Sequence, residues 1–190
     1  MKDQKFKISL SPVTLETANE QQKPLLEKSL KESGMIPNMY ANMVNSPGVM
    51  DTYATGYARF RKESGFSPAE QEVVFVTLSV ANGCEYCAAA HSYLADKVSN
   101  VPLEITNAIR DGREVPDAKL RALSEFTMAM FDTRGNPSVN DVQEFTAAGY
   151  SERQILDIIL AMAVKTLSNY SNHIFQTPVD EVFSARVWTK

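Results

Sequence analysis

Residues 67–83 read SPAEQEVVFVTLSVANG, and the class of the whole fold turns on whether this run is a strand or a helix. Valine and phenylalanine crowd its centre, a composition that suits a buried strand. The signals at its start point the other way. Ser67 stands where an N-cap would, Pro68 occupies the first helical position, and Glu70 follows the serine by three residues, which together make a capping box. The stretch from the cap to Asn82-Gly83 is also longer than a typical strand. The reading is a helix buried on most of its sides, closed by the Asn-Gly corner.

Working outward, helix signals recur along the chain. A polar first helix is expected over Thr14–Ser33, interrupted at Pro24 and closed by Gly34. Short helical pieces follow around Pro37 and Pro47, and Ser46-Pro47 opens a helix that runs to Gly65. Further on, Pro102–Arg110 is a short helix ended by Gly112. Leu120, Leu123, Phe126, Met130 and Phe131 share one face of another. Ser138 starts a helix that ends at Gly149, and Ser151 with Gln154 forms a second capping box opening a long one. The tail beyond Pro178 packs as a final turn or short helix around Phe183 and Trp188. No stretch alternates as a half-buried strand does. The fold class is therefore all-α: a compact multi-helix domain over residues 1–190, with a site-bearing half at about 35–112 and a second, chemically silent half at about 113–190.

A shift of 84 residues lays Ser67 on Ser151, and Cys84, Tyr86 and Cys87 on Ser168, Tyr170 and Ser171. Two degenerate helical repeats would give this pattern, as would chance similarity between two buried helices. Under the shift Glu72 and His91 meet Leu156 and Phe175, so any chemistry belongs to the first half.

Composition narrows the function. The chain has 190 residues, 44% of them apolar and 22% charged, with a net charge of −4. Mild acidity argues against nucleic-acid or anionic-membrane partners, which call for clustered Lys and Arg. No window reaches the roughly 18 consecutive apolar residues of a membrane span. The N-terminal residues lack the apolar stretch of a secretory signal, so a cytoplasmic protein is expected, where thiols stay reduced. The eight methionines, among them Met35, Met39, Met43 and Met50, read as core or interface filler.

The chemistry concentrates just after the deciding helix. Residues 82–94 read NGCEYCAAAHSYL and hold both cysteines and one of two histidines. Cys84, Cys87 and His91 fall at i, i+3 and i+7, one stripe of a helix that begins near Cys84. Unpaired N–H groups and the helix dipole favour a thiolate in such a first turn. Glu72, deep in the apolar run, is the acidic group the returning helix can reach; burial would raise its pKa and make it a proton acceptor. No Lys or Arg lies at helical spacing from it on its own helix. Three readings compete: a redox dithiol, three or four ligands of a metal site, and small core residues. Structural zinc usually draws on a second ligand pair and there is no further cysteine, so no metal and no cofactor is expected. His173 reads as structural, with pocket lining or an oligomer contact as the alternative.

Glu72, eleven residues, Cys84-Glu85-Tyr86-Cys87, three residues and His91 together resemble the active-site motif of the alkylhydroperoxidase D and carboxymuconolactone decarboxylase superfamily. GMIPNMY, NSPGVMDTY and SNYSNHIFQTPVDEVF resemble its peroxidase-related branch, so the likeness covers most of the chain from about Gly34 onward. The resemblance implies an all-helical fold assembled as a trimer or hexamer, and thiol-dependent reduction of an organic hydroperoxide or hydrogen peroxide. It makes Cys87 the peroxidatic thiol and Cys84 the more exposed resolving one, with Glu72 taking the thiol proton through His91 and a water. A sulfenic acid at Cys87 then condenses with Cys84, and a dithiol reductant, on a lipoyl carrier or a peroxiredoxin-type protein, reopens the disulfide. The family's peroxidase members carry histidine immediately before the second cysteine; here Tyr86 stands there, as a pocket wall or a hydrogen-bond donor. The alternative function is a redox-responsive module, in which the same disulfide regulates an oligomer or partner without efficient turnover.

Overall fold

A computed structural model describes residues 5–189. Its elements are α1 (Lys23–Ser33), α2 (Asn38–Met43), α3 (Pro47–Glu63), α4 (Pro68–Ala81), α5 (Glu85–Lys97), α6 (Leu103–Asp111), α7 (Ala118–Asp132), α8 (Val139–Ala147) and α9 (Glu152–Phe175), followed by a short 3-10 helix at Glu181–Arg186. Among the described residues there is no strand. The deciding stretch is thus helical. Ser67 Oγ accepts from Glu70 N, and Glu70 Oε2 accepts from Ser67 N at 2.8 Å.

The β-branched residues of α4 are explained by its position. Every residue from Glu70 to Ser79 is buried, because α5, α6, α7 and α9 all pack around this one helix. Burial of a side chain such as Val74, Phe75 or Leu78 contributes about 1.5–3 kcal/mol, which outweighs the few tenths lost to β-branched propensity. Gly83, at φ 67°, makes the left-handed corner that turns the chain from α4 into α5. Asn82 Nδ2 fastens that corner to α9 through Asn169 Oδ1 at 2.9 Å.

α3 lies along α9 at close range. A Cβ added to Gly56 would stand 2.9 Å from Val164 Cγ2, so the glycine is what lets the two helices approach. α2 and the 3-10 helix cover the remaining sides of α9 and α5.

Two expectations need correction. The first helix does not begin at Thr14: residues 15–17 and 20–22 form turns, and Asn19 Oδ1 accepts from the N–H groups of Gln21 and Gln22. Pro24 then sits in the first turn, where its missing N–H costs nothing, so it opens the helix rather than interrupting it. The 84-residue shift also fails at its most telling point, since α9 runs unbroken through Thr166 and Leu167, the positions onto which the shift lays the Asn82-Gly83 corner.

Candidate active site

Cys84 is the N-cap residue of α5 and Cys87 lies in its first turn, as the spacing predicts. Both thiols are free, and they hydrogen-bond to each other. Cys84 is not the more exposed of the two: the pair are 1% and 2% exposed. They differ in what they face. Cys84 lines an open depression of about 500 Å³ with Glu85, His173, Gln176 and Thr177. Cys87 lines a smaller cavity of about 110 Å³, walled by Met39, Tyr40, Tyr53, Tyr57 and Phe183 and reached by His91 and Lys165. Tyr86 borders both spaces. His173, on the exposed side of α9, belongs to the rim of the outer depression.

The thiols are electrostatically unequal. Burial alone would push Cys87 up, but the Cys84 thiol, Lys165, His91 and the Asn172 side chain outweigh it and hold Cys87 well below its ordinary value. Asn172 Nδ2 donates to Cys87 Sγ at 3.2 Å. Cys84 is pushed up by its hydrogen bond to Cys87 and by burial. Cys87 is therefore the more acidic thiol of the two and Cys84 the one that keeps its proton.

Glu72 and His91 come together as expected, with Glu72 Oε2 2.9 Å from His91 Nδ1. Glu72 has a second partner that spacing within its own helix could not reveal. Arg61, from α3, bonds its other carboxylate oxygen and also donates to Tyr57 Oη at 2.6 Å. This reverses the expected pKa. Burial raises the Glu72 carboxyl, but His91 and Arg61 together lower it further, so it stays ionised and is no proton acceptor at neutral pH. His91 is pushed down by burial and by Lys165, against the pull of Glu72, and is neutral. A carboxylate at Nδ1 fixes the proton there and leaves Nε2 as the basic nitrogen.

Three site residues escaped the sequence reading: Arg61, Lys165 and Asn172. The last two come from α9, Lys165 lining the inner cavity and Asn172 the outer depression, so the half expected to be silent contributes directly to the site. A signal existed for them. Ile158, Ala161, Lys165, Ser168 and Asn172 share one helical face, and a lysine on a stripe that begins apolar marks a buried cation. Tyr86 donates to Asp180 Oδ2, while Asp180 Oδ1 accepts from Asn38 N at 3.1 Å. Tyr86 is thus both a wall and a donor, with its donor end turned to the tail. Among the described residues no three of His, Cys, Asp and Glu gather closely enough to hold a metal ion, and Glu72 is engaged by Arg61 and His91. No helix there is long and apolar enough to cross a membrane.

Comparison with known proteins agrees with this architecture. Residues 47–127 match the carboxymuconolactone decarboxylase family. The core of alkylhydroperoxidase AhpD, a peroxidase-related protein from Ralstonia eutropha JMP134, superposes with a TM-score of 0.80 at 19% identity, over 95% of this chain and 97% of that one. A peroxidase-related protein from Silicibacter sp. TM1040 gives 0.75 at 20% identity over 95% and 97%. A cysteine-to-alanine variant of the debrominase Bmp8, in complex with 2,3,4-tribromopyrrole, gives 0.75 at 16% identity over 96% and 97%. No curated protein matches the chain by sequence. At these identities the structures share its fold.

Proposed function

We propose that this chain, whose residues 47–127 match the carboxymuconolactone decarboxylase family and whose fold is shared with alkylhydroperoxidase D-like structures, is a thiol-dependent hydroperoxide reductase. The observation that carries this reading is Cys87: a thiol held low beside a second thiol, facing a cavity of about 110 Å³ with aromatic walls. The Cys87 thiolate attacks the O–O bond of a hydroperoxide. An S–O bond forms, the O–O bond breaks, and the leaving alkoxide takes a proton to become an alcohol. His91 Nε2 relays protons, away from Cys87 as the thiolate forms and back to the leaving oxygen. Glu72 holds the His91 tautomer and does not itself take the proton.

Cys84 then attacks the sulfenic acid at Cys87, giving the Cys84–Cys87 disulfide and water. A dithiol reductant, a lipoyl group on a carrier or a peroxiredoxin-type partner, returns two electrons by exchange at Cys84. The wide depression on the Cys84 side suits that approach, and the apolar cavity on the Cys87 side suits a small organic hydroperoxide better than hydrogen peroxide. A cavity serving only Cys87 favours turnover over the alternative of a redox-responsive module.

An exposed stripe along α9, Leu156, Ile159, Tyr170 and Ile174, supports a homo-oligomer, a trimer or hexamer measurable by light scattering. Two free thiols suit the reducing cytoplasm.

The test is intact mass and peptide mapping after one equivalent of an organic hydroperoxide. Loss of two hydrogens mapped to Cys84–Cys87 is expected, with Cys84→Ser holding a sulfenic acid on Cys87 and Cys87→Ser inert. Unreacted thiols would sink the reading. A brominated pyrrole is the control substrate, because a debrominase shares the fold.

A further inference from the structure

Lys165 sits at the middle of α9 and is 1% exposed. Among the described residues no group accepts a hydrogen bond from its Nζ. A lysine is almost never buried to this degree without a partner, because an ammonium taken out of water needs a compensating charge. The ring of Phe75 lies 5.6 Å away and offers the face of a π-system. A ring quadrupole alone does not balance a full charge in the core.

The acids around the site are already engaged. Glu72 is bound by Arg61 and His91. Asp180 accepts from Tyr86 and from the first N–H of α2. His91, which lines the same cavity, is neutral, and the Tyr40, Tyr53 and Tyr57 phenols there are pushed upward, mainly by burial. Arg61 is the other cation, and Glu72 balances it. Among the described residues, the one remaining group beside Lys165 that can carry a negative charge is Cys87, on the wall of the same cavity.

We infer that Lys165 is the counter-ion of the Cys87 thiolate and that, through this pairing, it makes the Cys84–Cys87 disulfide strongly oxidising. The inference rests on the proposed redox role of the pair but not on the identity of the oxidant. In the dithiol state the buried plus and minus charges cancel. Forming the disulfide removes two electrons from the pair together with the one proton left on Cys84, joins the two sulfurs, and erases the charge on Cys87. Lys165 is then left in the core without a counter-charge, which disfavours the oxidised state. A disulfide whose reduced form is stabilised in this way draws electrons readily from other dithiols. Lys165 is thus a positioning residue for charge, setting how readily the oxidised enzyme is recycled.

The experiment equilibrates the full-length protein with glutathione buffers, without peroxide, and follows the thiolate by its ultraviolet absorbance against pH. The native disulfide is expected to be fully reduced by millimolar glutathione. Lys165→Met, which keeps the length of the side chain and removes the charge, is expected to move the equilibrium at least tenfold toward disulfide, about 30 mV for a two-electron couple. It should also move the Cys87 titration upward, whereas Lys165→Arg retains both properties. A folded Lys165→Met protein with native equilibrium and titration overturns the inference. So does a native disulfide that glutathione leaves intact, a result that needs no variant. Failure of peroxide turnover with the tenfold shift present would reject the proposed substrate and leave the role of Lys165 standing.

Discussion

Glu72 is shared between two helices: its Oε2 lies 2.9 Å from His91 Nδ1 on α5, while its other oxygen holds the Arg61 guanidinium of α3. One carboxylate thereby balances a cation and fixes a tautomer. Glu72→Gln keeps the shape and removes the charge. Leaving Arg61 without its counter-charge in a mostly buried position should destabilise the fold by about 3 kcal/mol, the low end for breaking a buried pair. Reaction of Cys87 with hydroperoxide should slow roughly a hundredfold as the His91 tautomer is released. Urea titration and stopped-flow oxidation read the two effects, and a variant with native values for both would remove Glu72 from the site.

The same pair predicts acid lability. His91 is depressed below its ordinary 6.5 by burial and by Lys165. Glu72 is depressed below 4.5 because its partners outweigh its burial. In both cases the unfolded chain takes up the proton first as the pH falls, so the unfolded state binds more protons and stability declines. Above about pH 6.5 neither group contributes a slope. From there down to about 4.5 the decline belongs to His91, and below that to Glu72. Urea midpoints between about pH 7 and pH 4 should fall continuously, and His91→Gln should flatten the upper part alone. A native curve flat to about pH 5 would contradict the depressed His91.

Asn172 makes a sharper test of Cys87. Its Nδ2 donates to Sγ at 3.2 Å, and a hydrogen bond to a charged group contributes about 1.5–3 kcal/mol. Asn172→Leu fills the space without donating. Alkylation of Cys87 by a small neutral reagent near neutral pH should slow about tenfold or more, while Cys84 stays slow in both proteins. Equal rates at the two cysteines of the native protein would mean that the charge asymmetry is absent.

The inner cavity sets a size limit that Ala90 can report. Ala90 lines it beside Cys87 and His91 and bonds to neither sulfur nor imidazole. Ala90→Leu should slow organic hydroperoxides at least about tenfold, the scale on which a pocket rejects extra bulk, and leave hydrogen peroxide nearly unaffected. Parallel losses for both oxidants would show that peroxide reaches Cys87 by another route.

The parts of this site that were legible in the sequence are those made by local chemistry. Ser67, Pro68 and Glu70 specify the start of α4, and the spacing of Cys84, Cys87 and His91 specifies a stripe on α5, because caps and periodicity act within a few residues. Glu72 was found as a buried acid, but its pKa is lowered rather than raised. Whether a buried carboxylate is a base or an anion depends on the cation it meets, and Arg61 reaches it from another helix. Lys165 and Asn172 were missed for the same reason. Periodicity shows that their face of α9 is buried, and it says nothing of which helix lies opposite. Thr14–Asn19 misled in the other direction, since a polar stretch of helix formers gave no warning that its own Asn19 side chain would satisfy the backbone as turns.

Tyr86 stands between the two spaces that the thiols face, and removing it should join them. Its phenol is pushed up, chiefly by burial and then by Asp180, so it acts only as a donor, and the bond to Asp180 ties α5 to the tail beside Phe183, whose ring meets that of Tyr86 edge-on at 6.3 Å. Tyr86→Phe keeps the ring and loses the bond, at a cost of about 1–3 kcal/mol for the buried acceptor left behind, with Cys87 still shielded. Tyr86→Ala removes the ring from a site 4% exposed and should cost about 3–5 kcal/mol. The informative readout is labelling. In the native protein and in Tyr86→Phe, a bulky maleimide is expected to reach Cys84 from the wide depression and to spare Cys87. In Tyr86→Ala, assayed well below its melting point, Cys87 should become the faster of the two, because it carries the thiolate. If Cys87 stays protected there, the two spaces are separated by backbone, and oxidant and reductant keep separate routes to the disulfide whatever residue occupies position 86.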